Sequence, residues 1–334
     1  MTEVSAGIVR NAQGLILACQ RGEGRRNAHL WEFPGGKREP GEDAAACLQR
    51  ELLEELNLPV EAVRPCLTAE EGGIRFTFLT ARTDAAPVPT EHEDVRFLRA
   101  RELLSLPFCP ADAAVASALA LNDPPLTDFF WDWDGTLFDT YPLMTAAFQE
   151  ACARQGFRLS GQEALDLLKR SLSEAVETVS SRARLDSARL MVDFRAVEAV
   201  GLPDASLMSG MADALHALAD AGCRHYLVTH RDQAALALLR ERGLLPLFTG
   251  WVTREDGFPR KPDPAALLHL MEKYDVDPER ACMIGDRPID TEAARSAGIL
   301  GCLFDPEDRF SAAPCHLRAR DADRLPALLR PTAI

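Results

Sequence analysis

Residues 50–55 read RELLEE, with Glu51, Glu54 and Glu55 inside five positions. Like charges four apart destabilise an isolated helix by about 0.2–0.5 kcal/mol, so the crowding asks for a counter-charge. At 100° per residue, Leu48, Leu52 and Leu56 share one stripe, and the three glutamates fill an adjoining arc of about 100°. Such an arc suits a hard divalent cation, which takes oxygen ligands and keeps part of its water. Arg50 lies one turn from Glu54 and can orient a carboxylate. Upstream, the Gly-Gly and Pro-Gly pairs of WEFPGGKREPGE (31–42) predict a tight loop. Its backbone near Gly36 can approach a metal or a phosphate closely.

A second set of chemical groups is dispersed. FFWDWDGTLFDT (129–140) carries Asp132 and Asp134 two positions apart at the end of an apolar run, so both project from one side. HYLVT ends in Thr229, RKPDP contains Lys261, and IGDRPID supplies Asp286 and Asp290. Each polar group sits at or just beyond the end of an apolar strand. Acids at the carboxyl ends of strands suit the crevice where open α/β sheets bind ligands. Taken singly, these residues also read as turn and cap residues, and Asp290 is a natural helix N-cap.

The elements that must position these groups divide at LNDPPLTD (121–128), two prolines in a polar cluster between a helical run and a strand. That predicts two domains, 1–125 and 126–334. In the first, VSAGIVR, LILACQ, IRFTFLTA and DVRFL read as strands, with helices near 43–56 and 111–121, a mixed α+β pattern. In the second, strands and helices alternate, which predicts a Rossmann-like, doubly wound parallel sheet. A long helical insert, about 143–208, reads as a cap, with GLPDASLMSG (201–210) as its hinge. Arg170, Arg182 and Arg184 in the insert read as a solvated helix face.

GGKREPGEDAAACLQRELLEELNL resembles the signature of the Nudix hydrolases, and the preceding WEFPGG resembles their MutT branch. Asn57 stands where that signature usually has Gly, and Asn tolerates the left-handed, helix-ending conformation. The resemblance covers roughly residues 1–122 and implies an α/β/α sandwich that hydrolyses a nucleoside triphosphate to monophosphate and pyrophosphate. It implies Mg²⁺, with Mn²⁺ as a substitute, held by Glu51, Glu54, Glu55 and the Gly36 carbonyl. Outside the helix, TEHED (90–94) offers Glu91 and Glu93 as a base, and Glu93 is the choice. Arg21, with Arg25 and Arg26, suits a phosphate tail. In CPAD, Asp112 occupies the place where MutT-like proteins read the base, and it would accept from an amino or protonated ring edge. Asp112 equally suits the first turn of a helix.

DxDGT, a strand-end Thr, a Lys and GDxxxD, in that order, resemble the haloacid dehalogenase superfamily of phosphatases over roughly 126–325. The resemblance implies that Asp132 attacks phosphorus to form an aspartyl phosphate, and that Asp134 protonates the leaving oxygen and then activates water. Thr229 and Lys261 would hold the phosphoryl group. Mg²⁺ would bind Asp132, the Asp134 carbonyl and Asp286, while Asp290 would orient Lys261 or a metal-bound water.

Composition narrows the partners. The chain has 334 residues and a net charge of −14, with no basic footprint for duplex nucleic acid. No apolar run approaches the ~18 residues of a membrane helix. Nine cysteines lie scattered without a CxxC pair, and no signal peptide is evident, so reduced thiols in cytoplasm are expected. Small phosphate compounds, nucleotides foremost, are the expected partners, and oligomeric state is left open. The simplest reading is a bifunctional phosphohydrolase in which the second domain dephosphorylates the monophosphate released by the first, clearing oxidised or surplus deoxynucleotides. The alternatives join a sanitising pyrophosphohydrolase to a phosphatase for a small metabolite such as phosphoglycolate, or make one site a nucleotide sensor.

Overall fold

The computed structural model describes residues 2–330. They form two compact units, divided at Pro125 and Leu126.

The first unit holds β1 (Thr2–Arg10), β2 (Ile16–Arg21), β3 (Trp31–Glu32), β4 (Gly35–Lys37), α1 (Ala44–Leu56), β5 (Glu61–Glu71), β6 (Ile74–Arg82), β7 (His92–Leu98) and α2 (Pro110–Asn122). Its sheet is mixed, in the order β3-β2-β1-β6-β5, with β4 on β1 and β7 on β2. β1 runs parallel to β6, and the other pairs are antiparallel. Alternation sorts the core. Ala6, Ile8, Ile16 and Ala18 pack with Val115 and Leu119 of α2. Val9, Leu17 and Cys19 pack with Leu48, Leu52 and Leu56 of α1. The result is an α/β/α sandwich. Burying each of those leucines contributes roughly 1.5–3 kcal/mol, which fixes the glutamate arc at the rim of the sheet. Asp43 caps α1 by accepting from the Ala46 N–H at 2.8 Å. Asn57 ends it in the left-handed region (φ 47°). Its N–H and that of Leu58 reach back to Leu53 and Leu52.

One local expectation changes, and one strand goes unread in the sequence. The Gly-Gly pair does not form only a loop, because Gly35–Lys37 adds β4 to the sheet through Ser5 and Ala6. Residues 61–71, with Pro65 in the middle, form the edge strand β5.

The second unit contains β8 (Asp128–Trp131), β9 (Phe138–Asp139), α3 (Tyr141–Arg154), α4 (Gly161–Arg170), α5 (Leu172–Ala183), α6 (Ser187–Gly201), β10 (Ser206–Leu207), α7 (Met211–Asp220), β11 (Arg224–Val228), α8 (Ala234–Glu241), β12 (Phe248–Val252), α9 (Ala265–Lys273), β13 (Ala281–Gly285), α10 (Pro288–Ser296), β14 (Leu300–Phe304) and β15 (Leu317–Ala319). The sheet order is β12-β11-β8-β13-β14-β15, all parallel. Phe130, Tyr226 and Met283 pack on one face with α9 and α10. On the other face His225 accepts from Trp131 Nε1 at 2.9 Å, while its Nε2 meets the Leu215 carbonyl of α7 at 3.1 Å. Helices α3 to α6 close their own apolar core around Phe148 and Phe194 and form the cap. Where the chain leaves and rejoins the sheet domain, β9 and β10 pair through Phe138 and Leu207.

Candidate active sites

In the first unit, Glu51 and Glu55 of α1, but not Glu54, border a cavity of about 590 Å³. Gly36, Glu51, Glu55, Arg21, Arg25, Arg26, Glu32 and Asp112 line it. Arg50 organises the acids. Its Nε and Nη2 each lie 3.0 Å from Glu42, and its Nη1 reaches Glu51 at 2.9 Å and Glu54 at 3.1 Å. The Arg50 hydrogen bonds hold the Glu42 carboxyl down at about 2. Glu55 is the opposite case. Burial pushes it up to about 7 against the nearby His92, and one of its buried oxygens has no hydrogen-bond partner. A Cβ at Gly36 would fall 2.2 Å from the Glu51 carboxyl carbon, so only glycine lets this backbone meet that carboxylate. An orphaned buried oxygen, a second carboxylate and a closely approaching backbone suit a hard cation.

The remaining expected residues of this unit fall as follows. Glu54 is 60% exposed and paired with Arg50. Glu93 is exposed and lies 2.8 Å from His29 Nδ1. Arg21 pairs with Glu32, and Arg25 with Glu91. Asp112 is buried, accepts from the Phe33 N–H at 3.2 Å, and is pushed up to about 7 by burial. His92 went unread in the sequence. Its side chain is buried, with Nε2 3.4 Å from Glu32 and 3.9 Å from Glu55.

In the second unit, three strand ends and the loop before α9 converge. Asp132 and Asp134 follow β8, Thr229 follows β11, and Asp286 and Asp290 follow β13. Lys261 is buried, with Nζ 2.5 Å from Asp132 Oδ1 and 2.6 Å from Asp290 Oδ1. Asp290 also accepts from the Arg287 N–H at 3.1 Å, so it serves its helix and the lysine together. A Cβ at Gly285 would lie 2.2 Å from Asp290 Cγ, and one at Gly135 (φ 72°) would lie 2.5 Å from Asp286 Oδ2. Both glycines therefore make room for carboxylates. Asp132, Asp286 and Asp290 offer oxygens within 4.8 Å of one another. Asp132 Oδ2 and Asp286 Oδ1 are buried without a hydrogen-bond partner. Burial pushes Asp132 and Asp286 upward, and Lys261 and Lys169 respectively work against that shift. Two carboxylate oxygens left bare in this way fit a divalent cation.

The cap and the loop after β11 add residues that the sequence reading missed. Lys169 of α4 places Nζ 2.7 Å from Asp286 Oδ2 and 3.7 Å from the Tyr141 ring centre. Arg231, two residues after Thr229, lies 2.7 Å from Asp134 and 2.9 Å from Glu198 of α6. A chamber of about 80 Å³ above Asp132 and Asp134 is lined by Thr229, His230, Arg195, Arg231, Arg260 and Arg287, among others. Burial and the neighbouring Lys261 and arginines lower His230 to about 4, which leaves the ring neutral. Its Nε2 accepts from the Lys261 N–H at 3.2 Å. Arg260 and Arg287 had a signal, because each adjoins a residue already singled out, in RKPDP and GDRPID. Arg170 and Arg182 instead pair with the exposed Glu174 and Glu163.

An aspartate pair at a strand end, a lysine bridging two carboxylates and a helical cap fit a hydrolase of the doubly wound α/β class. Comparison with known proteins agrees. The haloacid dehalogenase-like hydrolase family matches residues 129–298, and the NUDIX domain matches residues 1–119. The chain belongs to the haloacid dehalogenase-like hydrolases and carries a NUDIX domain in addition. Phosphoglycolate phosphatase 1 of Pseudomonas aeruginosa is 31% identical over 179 residues, which span 51% of this chain and 65% of that protein. The phosphoglycolate phosphatase of Nitrosospira multiformis is 30% identical over 52% of this chain and 81% of its own length. A solved haloacid dehalogenase-like protein of Agrobacterium tumefaciens shares the fold at a TM-score of 0.53 and 21% identity, covering 61% of this chain and 97% of that one. Among the described residues no helix is long and apolar enough to cross a membrane, and the nine cysteines are free thiols.

Proposed function

We propose that the second unit hydrolyses a small phosphate monoester bearing a second anionic group, and that the first unit cleaves a nucleoside triphosphate to monophosphate and pyrophosphate. The observation carrying the first part is the charge over Asp132. Arg195, Arg231, Arg260 and Arg287 line a chamber of only about 80 Å³. Arg260 has no carboxylate partner among the described residues. Burial and then the neighbouring Arg195, Arg287 and Arg254 hold its pKa down. Arg195, Arg231 and Arg287 pair with Glu198, Asp134 and Asp286, so Arg260 is the cation left to meet an anionic group of the substrate, and so small a chamber favours a compact ester over the ~300–1,000 Å³ of drug-sized sites. The curated relatives are named for phosphoglycolate, which has both features.

In this reading Asp132 Oδ2 attacks phosphorus, while Oδ1 stays on Lys261. The phosphorus–oxygen bond to the alcohol breaks, and that oxygen takes a proton from Asp134. Water then attacks the aspartyl phosphate and gives its proton to Asp134, releasing orthophosphate and free Asp132. Thr229 and Lys261 hold the phosphoryl oxygens, and Asp290 keeps Lys261 in place. Asp132, Asp286 and the Asp134 carbonyl would hold Mg²⁺, which supplies further neutralisation of phosphoryl charge. In the first unit Glu51, Glu54, Glu55 and the Gly36 carbonyl would hold Mg²⁺, which lowers the pKa of water and screens the leaving pyrophosphate. Glu93 would take the proton of the attacking water, Arg21 would bind the phosphate tail, and Asp112 would read the base edge.

A second reading feeds the nucleoside monophosphate from the first unit to the second. It draws on a cleft of about 500 Å³ that shares Arg195, Glu198 and Arg231 with the small chamber and has room for a nucleoside. One assay separates the two. Wild type, Glu54→Gln and Asp132→Asn are incubated with nucleoside triphosphates, nucleoside monophosphates and 2-phosphoglycolate, and pyrophosphate, orthophosphate and nucleoside are followed. The first reading expects orthophosphate from 2-phosphoglycolate and monophosphate that accumulates with wild type. Nucleoside from wild type, lost in Asp132→Asn, would replace it with the second.

A further inference from the structure

The two oxygens of Asp286 meet different surroundings. Oδ2 accepts from Nζ of Lys169, on α4, at 2.7 Å. Oδ1 is buried without a hydrogen-bond partner, and Arg287 Nε stands 3.7 Å from it. The backbone crowds the Oδ2 side as well, since a Cβ at Gly135 would fall 2.5 Å from that oxygen. Lys169 is held in turn. Its side chain is mostly buried, and Nζ lies 3.7 Å from the centre of the Tyr141 ring, whose face attracts a cation. Asp132 is divided in the same way, with Oδ1 2.5 Å from Lys261 and Oδ2 bare. Asp290 has neither oxygen to spare. Its Oδ1 pairs with Lys261 at 2.6 Å, and its Oδ2 accepts from the Arg287 N–H at 3.1 Å.

One bare oxygen per carboxylate limits what a cation can be given. Mg²⁺ is small, demands near-octahedral geometry and keeps several waters, so single carboxylate oxygens serve it. Ca²⁺ gathers about six to eight oxygens and often takes both from one carboxylate. To take both from Asp286 it would have to break a charge-assisted hydrogen bond and leave a largely buried ammonium without its partner. The positive charge of Lys169 opposes both ions alike, because each carries two charges. Only the blocking of Oδ2 tells them apart.

Resting on the Mg²⁺ reading of the second unit above, we propose that Lys169 is a positioning residue that holds Asp286 to ligation through one oxygen and thereby selects a small octahedral cation against Ca²⁺. The lysine acts through Asp286 alone and takes no part in the transfer of the phosphoryl group. Because it stands on α4, the choice of metal is set partly by an element outside the sheet that carries the carboxylates.

The test measures binding of Mg²⁺ and of Ca²⁺, each alone, by calorimetry on the whole protein. The binding event lost in Asp286→Asn belongs to the second unit. Lys169→Met keeps an unbranched stem beside Tyr141 and removes the donor. Removing a group that orients a metal ligand changes affinity by about 10–100-fold. The ratio of the Ca²⁺ to the Mg²⁺ dissociation constant is therefore expected to fall about tenfold or more in Lys169→Met, and to return to within about threefold of wild type in Lys169→Arg. Crystals give a second readout that needs no variant. Wild type soaked in Mg²⁺ should show Asp286 Oδ1 on the ion and Lys169 still on Oδ2. Lys169→Met soaked in Ca²⁺ should show both oxygens at about 2.3–2.6 Å from the ion. A ratio unchanged within about twofold, or both Asp286 oxygens on Mg²⁺ in wild type, would overturn the inference and leave the Mg²⁺ reading intact. If Asp286→Asn removes no Mg²⁺ event, both readings fall.

Discussion

The two acidic sites solve one problem, holding crowded carboxylates near phosphate, in opposite ways. In the first unit the acids come from neighbouring turns of one helix, and Arg50 binds Glu42, Glu51 and Glu54 from that same helix. Of these acids Glu55 alone is left with a buried oxygen unpartnered. In the second unit the acids come from separate strand ends, and buried cations reach them from elsewhere: Lys261 from the loop before α9, Lys169 from α4, Arg231 from the loop after β11. A contiguous site is set by one helix and its caps. A convergent site is set by the packing of the whole sheet and its cap.

Substitutions can break this contrast in descending order of effect. Asp132→Asn should lower phosphomonoester hydrolysis by about 10³-fold or more while leaving pyrophosphate release within about twofold. A shared loss, measured on both reactions of the same preparation, would show that the sites are not independent. Glu55→Gln should do the converse, lowering pyrophosphate release by roughly 10²-fold and leaving phosphatase turnover unchanged. Gly36→Ala should raise the Mg²⁺ needed for half-maximal pyrophosphate release by about tenfold, because its Cβ would overlap the Glu51 carboxylate. Magnesium titration of the variant checks this.

Stability against pH should tilt oppositely in the two units. Asp112 is raised to about 7, so the folded state binds its proton more tightly than the unfolded chain. Its contribution is favourable at low pH and is lost as pH rises from about 4 to about 7, by roughly 2–4 kcal/mol. Burial lowers His225 to about 4, so its contribution is present above about 6.5 and is lost as pH falls toward 4, by roughly 2–3 kcal/mol. Native-state hydrogen exchange, resolved by peptide, separates the units. Asp112→Asn should flatten the first slope and His225→Gln the second, and a slope unchanged by its variant would remove that residue as the cause. The smallest effect belongs to Arg170→Ala. Its pair with Glu174 is exposed on the cap surface, and thermal unfolding should shift by no more than about 0.5 kcal/mol equivalent.

How much was legible follows the same divide. The Leu48, Leu52 and Leu56 stripe, the glutamate arc and the Asn57 stop are all local, and periodicity and cap chemistry suffice to read them. The parallel sheet was legible because apolar strands and helices alternate through the second half of the chain. Edge strand β5 was not, because EAVRPCLTAEE exposes most of its side chains and Pro65 interrupts the alternation. Arg231, Glu198 and Lys169 were not legible either. Arg231 is far in sequence from Asp134 and Glu198, and Lys169 is far from Asp286. Nothing in a helical insert's composition says which cation will turn inward. His92 escaped notice for a different reason: it lies beside two glutamates in TEHED, and in sequence they looked the more reactive.

Gly285 gives the lysine-bridging site a heritable consequence. A hydrogen there leaves the volume that the Asp290 side chain fills. The two positions should therefore drift together or not at all. A library randomising residue 285 alone, selected for phosphatase turnover, should return glycine almost without exception, whereas one that varies both should yield paired solutions in which a smaller polar side chain at 290, such as serine, accompanies a larger residue at 285.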